Sequence, residues 1–165
     1  MAGSTGASRV HDVESSQVDA VMDAARLLVA VVAASVLEVE DRASLPQLRV
    51  LTLMAARGFL TLGAVADALG VHPSNATRMC DRLVAAGYVD RQDDPDDRRQ
   101  LRLTLTDQGA ALVDSLMAHR RAAVARAMAQ MPASERAQLA ASLTAFTDAA
   151  FGLIDHDAAA ALSWV

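Results

Sequence analysis

At 165 residues, 53% hydrophobic and 21% charged, the chain suits one domain or two small lobes on a shared core, and it is too apolar for overall disorder. Aromatics at 3% and alanine at about a fifth favour helix and exclude an all-β sandwich or barrel, while the single cysteine, Cys80, excludes a disulfide framework or multi-cysteine zinc site. The net charge of −5 lies outside residues 71–105, where six arginines face six acids; no lysine occurs, yet this local arginine set is able to face phosphates.

No apolar run approaches the roughly 18 residues of a membrane span. Met1 to Arg9 also lacks the basic start and apolar segment of a signal peptide. The expectation is a soluble, cytoplasmic, mostly α protein with no membrane partner.

Residues 1–9, small and polar, read as a disordered lead-in. From His11 to Asp41 there is no Pro or Gly, and Val18, Met22, Ala25, Val29, Val32, Val36 and Val39 recur at steps of four and three. That is one face of a long helix, widened by Leu27, Leu28 and Val31. It suits the core of a bundle or a subunit interface, and the pattern does not choose between them. Ser44 and Gln47 have capping-box spacing, with Pro46 in the first turn. They open a second helix through Leu48, Leu51, Leu53 and Met54 to Arg57, stopped by Gly58. Phe59 and Leu60 predict a very short strand. Thr61 caps a short helix with Leu62, Val65, Ala66 and Leu69 inward, ended by Gly70. Pro73 starts a further helix to Ala86, its apolar face formed by Ala76, Met79, Cys80, Leu83 and Val84.

The period then changes. Tyr88, Val89 and Arg91 lead to the polar tip Asp93-Asp94-Pro95-Asp96-Asp97, after which Leu101, Leu103 and Leu105 alternate with Arg102 and Thr104. This predicts a two-stranded hairpin. Thr106 caps a long helix through Leu112, Leu116, Val124 and Met128, broken by Pro132. The last helix carries Leu139, Leu143, Phe146, Ala150 and Leu153, followed by an Ala-rich tail from Asp155 with Trp164.

Two short helices joined by a Gly-Val turn, then a hairpin, make a winged helix-turn-helix. The second helix of such a unit enters the major groove with its N-terminal turns. Its outward residues are Ser74, Asn75, Thr77, Arg78, Asp81 and Arg82. Asn pairs with adenine and Arg with guanine by two hydrogen bonds each, so Asn75 and Arg78 are the candidate base readers. Ser74 and Thr77 suit phosphate oxygens or a thymine methyl. A merely solvated helix face is the alternative, against which the adjoining arginine-bearing hairpin argues.

Residues 44–109 resemble the DNA-binding core of the MarR (multiple antibiotic resistance regulator) family. The matching segments are Leu45-Pro46-Gln47-Leu48-Arg49-Val50-Leu51, Leu60-Thr61-Leu62 with Val65-Ala66, and Leu69-Gly70-Val71. They continue through Pro73-Ser74, Thr77-Arg78, Asp81-Arg82-Leu83 and Gly87-Tyr88-Val89. Asp97-Arg98-Arg99, followed by Leu103-Thr104-Leu105-Thr106 and Gly109, is the most specific piece. The long helices on either side match in type and length.

The resemblance implies about six helices and one hairpin wing. Residues 44–106 would form the winged helix-turn-helix, and 10–43 with 107–160 a helical dimerisation region whose first, fifth and sixth helices interlock. It makes Arg99 the wing-tip arginine, drawn to the negative potential of a narrow minor groove, and Asp97 the carboxylate that orients it. A simple surface pair of Asp97 with Arg99 is the alternative. Arg98 would contact phosphate. It also implies a cleft for small aromatic acids between the dimerisation helices and the DNA-binding lobe. Met22, Arg26, Leu48 and Leu51 would line it, with Leu112 and Leu116 opposite; Arg26 would bind the carboxylate.

This chain departs from the family pattern at His72, where a small hydroxylic residue usually precedes the proline. The change weakens the cap and places a titratable donor beside DNA. Cys80 reads as a small buried hydrophobe rather than an oxidant sensor. His11, His72, His119 and His156 lack ligand spacing, so no metal is expected. No Gly-rich phosphate loop or nucleophile–base pair is present, which excludes an enzyme, and no cofactor is implied. The expected function is a homodimeric, sequence-specific regulator of double-stranded DNA with a near-palindromic operator, a repressor released by a small ligand. The rival readings are a winged-helix protein-interaction module that no longer binds DNA, and a thiol-based redox regulator acting through Cys80.

Overall fold

The first five helices begin where the sequence supplies a cap. The computed structural model describes residues 13–93 and 101–151. In chain order these form α1 (Ser15–Leu37), α2 (Leu45–Arg57), α3 (Leu62–Leu69), α4 (Pro73–Ala85), β1 (Val89–Asp93), β2 (Leu101–Leu105), α5 (Asp107–Met128) and α6 (Ala133–Phe151). The lead-in, His11, the wing residues Asp97, Arg98 and Arg99, and the tail with Leu153, His156 and Trp164 lie outside the described residues.

Ser44 opens α2 as its spacing predicts: its N–H and hydroxyl both donate to Gln47 Oε1 at 2.9 Å. Thr61 Oγ1 caps α3 by accepting from the Ala64 N–H at 3.2 Å. Gly70 then turns the chain toward α4 in a left-handed conformation, φ 63°, which a residue bearing a Cβ adopts only at a cost. The short strand predicted at Phe59 and Leu60 is a single antiparallel bridge. Leu60 and Leu103 exchange backbone hydrogen bonds of 3.0 and 2.8 Å. β1 and β2 pair antiparallel from Val89 opposite Leu105 to Asp93 opposite Leu101.

The core lies between α2, α3, α4, the strand bases and the first half of α5. Leu48, Leu51, Leu53, Met54, Val65, Leu83, Leu103, Leu112 and Leu116 are all at most 2% exposed. Packing runs without interruption from the helix-turn-helix into α5. The α1 seam divides in two. Val39, just beyond the helix, is fully buried and Val36 packs against the core, while Val18, Met22 and Val29 stand 48%, 50% and 64% exposed. One residue of that helix takes an unexpected part. Ser35, 3% exposed, accepts from Arg120 Nε at 3.0 Å and donates to the Val32 carbonyl at 2.6 Å, tying α1 to α5. Burial holds the Arg120 guanidinium below its ordinary pKa.

The expectation about membrane-length segments needs a correction. Ser15–Leu37 is long and apolar enough to cross a bilayer by length and composition alone. Its three charges, Asp19, Asp23 and Arg26, fall in its first half and leave an uninterrupted apolar run shorter than a span, so a search for such a run passes over it.

The tightest junction joins the wing to α5. Thr106 Oγ1 accepts from the Gly109 N–H at 3.0 Å and donates to the Gly87 carbonyl at 2.6 Å, while the Thr106 N–H donates to the Tyr88 carbonyl at 3.1 Å. At Gly109 the helix backbone lies so close to Tyr88 that a Cβ would overlap its carbonyl oxygen. Gly109→Ala is therefore expected to destabilise the fold by about 3 kcal/mol, since backbone must move to admit a methyl group. A thermal unfolding midpoint within a degree of the parent would contradict this.

Cys80 sits on the inner face of α4 and is fully buried. Burial pushes its thiol up to about 11, a rise that Arg91 opposes and Asp81 reinforces. The thiolate is the reactive form, so at neutral pH iodoacetamide is expected to modify the folded chain about a hundredfold more slowly than the unfolded one. A raised folded-state pKa contributes stability at low pH that is lost as pH rises. The stability difference between the parent and Cys80→Ala should therefore shift against the parent between about pH 9 and 11. A flat difference across that window, or equal alkylation rates, would place the thiol in contact with water.

Candidate nucleic-acid interface

α4 presents two unlike faces. Ala76, Cys80 and Leu83 are buried against the core, and Ser74, Asn75, Arg78 and Arg82 are exposed; Thr77 is half-buried. The structure thus brings all six of the α4 residues read as outward in the sequence, Asp81 among them, to one helix, with five of them open to solvent. Thr77 Oγ1 donates to the Pro73 carbonyl at 3.0 Å, so its proton is held within the helix and its lone pairs remain. Ser74 Oγ lies 3.0 Å from His72 Nδ1.

His72 does more than the sequence reading allowed. Its Nδ1 accepts from the Ser74 N–H at 3.3 Å, so the imidazole itself caps α4, a task usually left to a hydroxyl or carboxamide. Pro73 at the first helical position fixes the entry of the same turn.

The sequence reading missed two contacts around α4. Asp81 forms an ion pair with Arg91 of β1, which binds the outer side of α4 to the base of the wing. Asn75 Oδ1 accepts from Arg78 Nη2 at 2.5 Å, so the two candidate base readers touch each other. The i, i+3 spacing is the signal that would have found the second; the first needs the hairpin to return the chain. On β2, the Arg102 guanidinium lies 4.3 Å from the centre of the Phe59 ring, a cation–π contact that fastens the wing to the segment after α2. Alongside α4, a groove of about 380 Å³ runs between Asn75, Arg78, Met79 and Arg82 and the start of α2 at Ser44, Pro46 and Gln47.

The residues expected to line an effector cleft differ in burial in the single chain. Leu48, Leu51, Leu112 and Leu116 are core residues, at most 2% exposed. Met22 is half exposed, and Arg26 points into solvent, its guanidinium paired with Asp23 on the same helix. α1 carries Met22 and Arg26 along the part that projects past the core of the single chain. A smaller cleft of about 190 Å³ does lie between α1 and α5, lined by Ser35, Glu38, His119 and Arg126 among others. His119 and the first helix meet there, but no cluster of three metal-ligating side chains occurs among the described residues.

The MarR family model matches residues 43–101. An uncharacterized HTH-type transcriptional regulator of Mycobacterium bovis is 38% identical over 93 residues, covering 56% of this chain and 65% of the relative. The HTH-type transcriptional repressor MdtR of Bacillus subtilis is 35% identical over 99 residues, covering 60% of this chain and 63% of MdtR. The chain therefore spans just under two thirds of the length of these curated relatives. Among solved structures, RV1404 of Mycobacterium tuberculosis shares 42% identity and superposes with a TM-score of 0.71, covering 83% of this chain and 95% of that one. A mostly helical winged fold, a matching family model and near full-length likeness to a solved relative agree: the chain belongs to the MarR family of transcriptional regulators.

Proposed function

We propose that this protein is a homodimeric, sequence-specific DNA-binding regulator that acts in the cytoplasm as a repressor. The observation that carries the reading is the division of α4, whose buried inner face fixes the helix while Asn75, Arg78 and Arg82 are exposed on its outer face. A helix held this way presents donors to base edges and phosphates without loosening the core. Arg78 is the base reader, with Ser74, Thr77 and Arg82 toward the backbone. In the wing, Arg99 supported by Asp97 takes the minor groove and Arg98 a phosphate, as the family resemblance implies. The name of the Bacillus subtilis relative favours repression.

The dimer reading rests on uncovered apolar surface. Val18, Val21, Met22, Leu27 and Leu28 on α1, and Leu143 and Phe146 on α6, are all more than two fifths exposed in the single chain. Two symmetric copies that bury these faces would divide each chain into a dimerisation region (10–43 and 107–160) and a DNA-binding region (44–106). Recognition helices about 34 Å apart would then call for a near-palindromic operator.

Sedimentation at micromolar concentration is expected to give a dimer, and a stable monomer would remove the pairing. Once an operator is selected, Arg78→Ala should cost about 1–3 kcal/mol there and relax base preference at one position of each half-site. Arg99→Ala should weaken binding to all sequences with a similar minor groove and flatten the dependence on salt. Equal affinity of the parent and Arg99→Ala over a salt series would refute the wing assignment. Failure of the parent to bind any duplex would leave the interaction-module reading in its place.

A further inference from the structure

The inference rests on the DNA-binding reading and concerns what α4 reads. Asn75 and Arg78 lie one turn apart on the exposed face, and Arg78 Nη2 donates to Asn75 Oδ1 at 2.5 Å. Only the oxygen of the carboxamide can accept from a guanidinium, so the contact sets which way the Asn75 amide faces. We infer that Asn75 is a positioning residue for Arg78, and that the two act as one guanine-reading unit rather than as separate readers of adenine and guanine.

The donor and acceptor inventory carries the argument. To read adenine, the Asn oxygen must accept from N6 while the amide nitrogen donates to N7, both turned to a single base edge. An oxygen facing Arg78 is drawn away from that edge. Arginine has five N–H donors in a planar fork. One goes to Asn75, and two parallel ones remain for O6 and N7 of guanine.

The surroundings select this partner. Asp81 lies one turn beyond Arg78 on the other side and would be the stronger acceptor. Its carboxylate is already engaged by Arg91 of β1. The wing thus withdraws the competing acid and leaves Arg78 to the neutral amide. A neutral partner holds the guanidinium in place and leaves its full charge for the groove. Because the contact exists in the chain without DNA, part of the ordering of a long side chain is complete before binding.

The test is selection from duplexes randomised over about 20 base pairs, two half-sites one turn apart, using the parent, Asn75→Ala, Asn75→Asp and Arg78→Ala. The readout is the ratio of binding to matched and substituted sites by one protein, which does not depend on the fraction folded. The parent should select a guanine in each half-site, and Arg78→Ala should lose it. Asn75→Ala should keep the same site but discriminate for that guanine about tenfold less well, the scale of one hydrogen bond. Asn75→Asp retains the acceptor and should restore the preference, though phosphate repulsion lowers its affinity overall. Loss of an adenine preference in Asn75→Ala with the guanine untouched would show an independent reader and overturn the inference. So would an Asn75→Ala selection identical to the parent's, or no restoration by Asn75→Asp. A parent that enriches no duplex overturns the DNA-binding reading itself, an outcome distinct from all of these.

Discussion

The close approach of α5 to the Tyr88 carbonyl is the constraint on which the other parts of the fold depend. Thr106 connects three pieces of chain in one residue: it caps α5, it holds the Gly87 carbonyl at the end of the recognition helix, and its N–H closes the base of the hairpin. Gly109 lets the helix sit close enough for all three. The angle between α4 and the wing is thereby tied to the direction of α5. Since α5 also packs on α1 and α2, a shift in the long helices cannot leave the recognition helix unmoved. Interiors packed at crystal density pass displacement on rather than absorb it.

A second feature is the economy of charge at the proposed DNA face. Each arginine with a described contact there has a different kind of partner. Arg78 takes a neutral amide, Arg91 a carboxylate and Arg102 an aromatic ring. These partners cancel charge to different degrees. A carboxylate neutralises its arginine, whereas an amide orients the guanidinium and leaves its field intact. An acidic chain can therefore keep positive potential where a phosphate backbone would lie, provided that its acids are tied down locally. Asp81 is tied to Arg91 in this way, beside the helix that we assign to the groove.

The helix-turn-helix, the hairpin and the inward faces were legible because their signals are local. Ser44 with Gln47, Thr61, Gly70 and Pro73, and Thr106 in its capping of Gly109, each act within four residues of where they stand, so spacing suffices to read them. Alternation at Leu101, Leu103 and Leu105 set the strand face, and even the one-residue bridge at Leu60 had its apolar pair in view. The residues expected to line a ligand are the opposite case. A helical face shows which residues are apolar, not whether another helix covers them, and the four leucines proved to be core while Met22 and Arg26 lay beyond its edge.

What the sequence determined by itself was the order of elements, their ends and the outward identity of Ser74, Asn75, Arg78 and Arg82, because periodicity and capping are properties of contiguous residues. Only the tertiary structure decided which of those side chains meet. Ser35 reaches Arg120 across 85 positions, Asp81 reaches Arg91 because the hairpin turns back, and Arg102 lies on Phe59 because Leu60 bridges to Leu103. The Asn75–Arg78 contact lies between the two cases. Its spacing permits it, but the choice of Asn75 over Asp81 is made by a strand that the helix's own sequence does not contain.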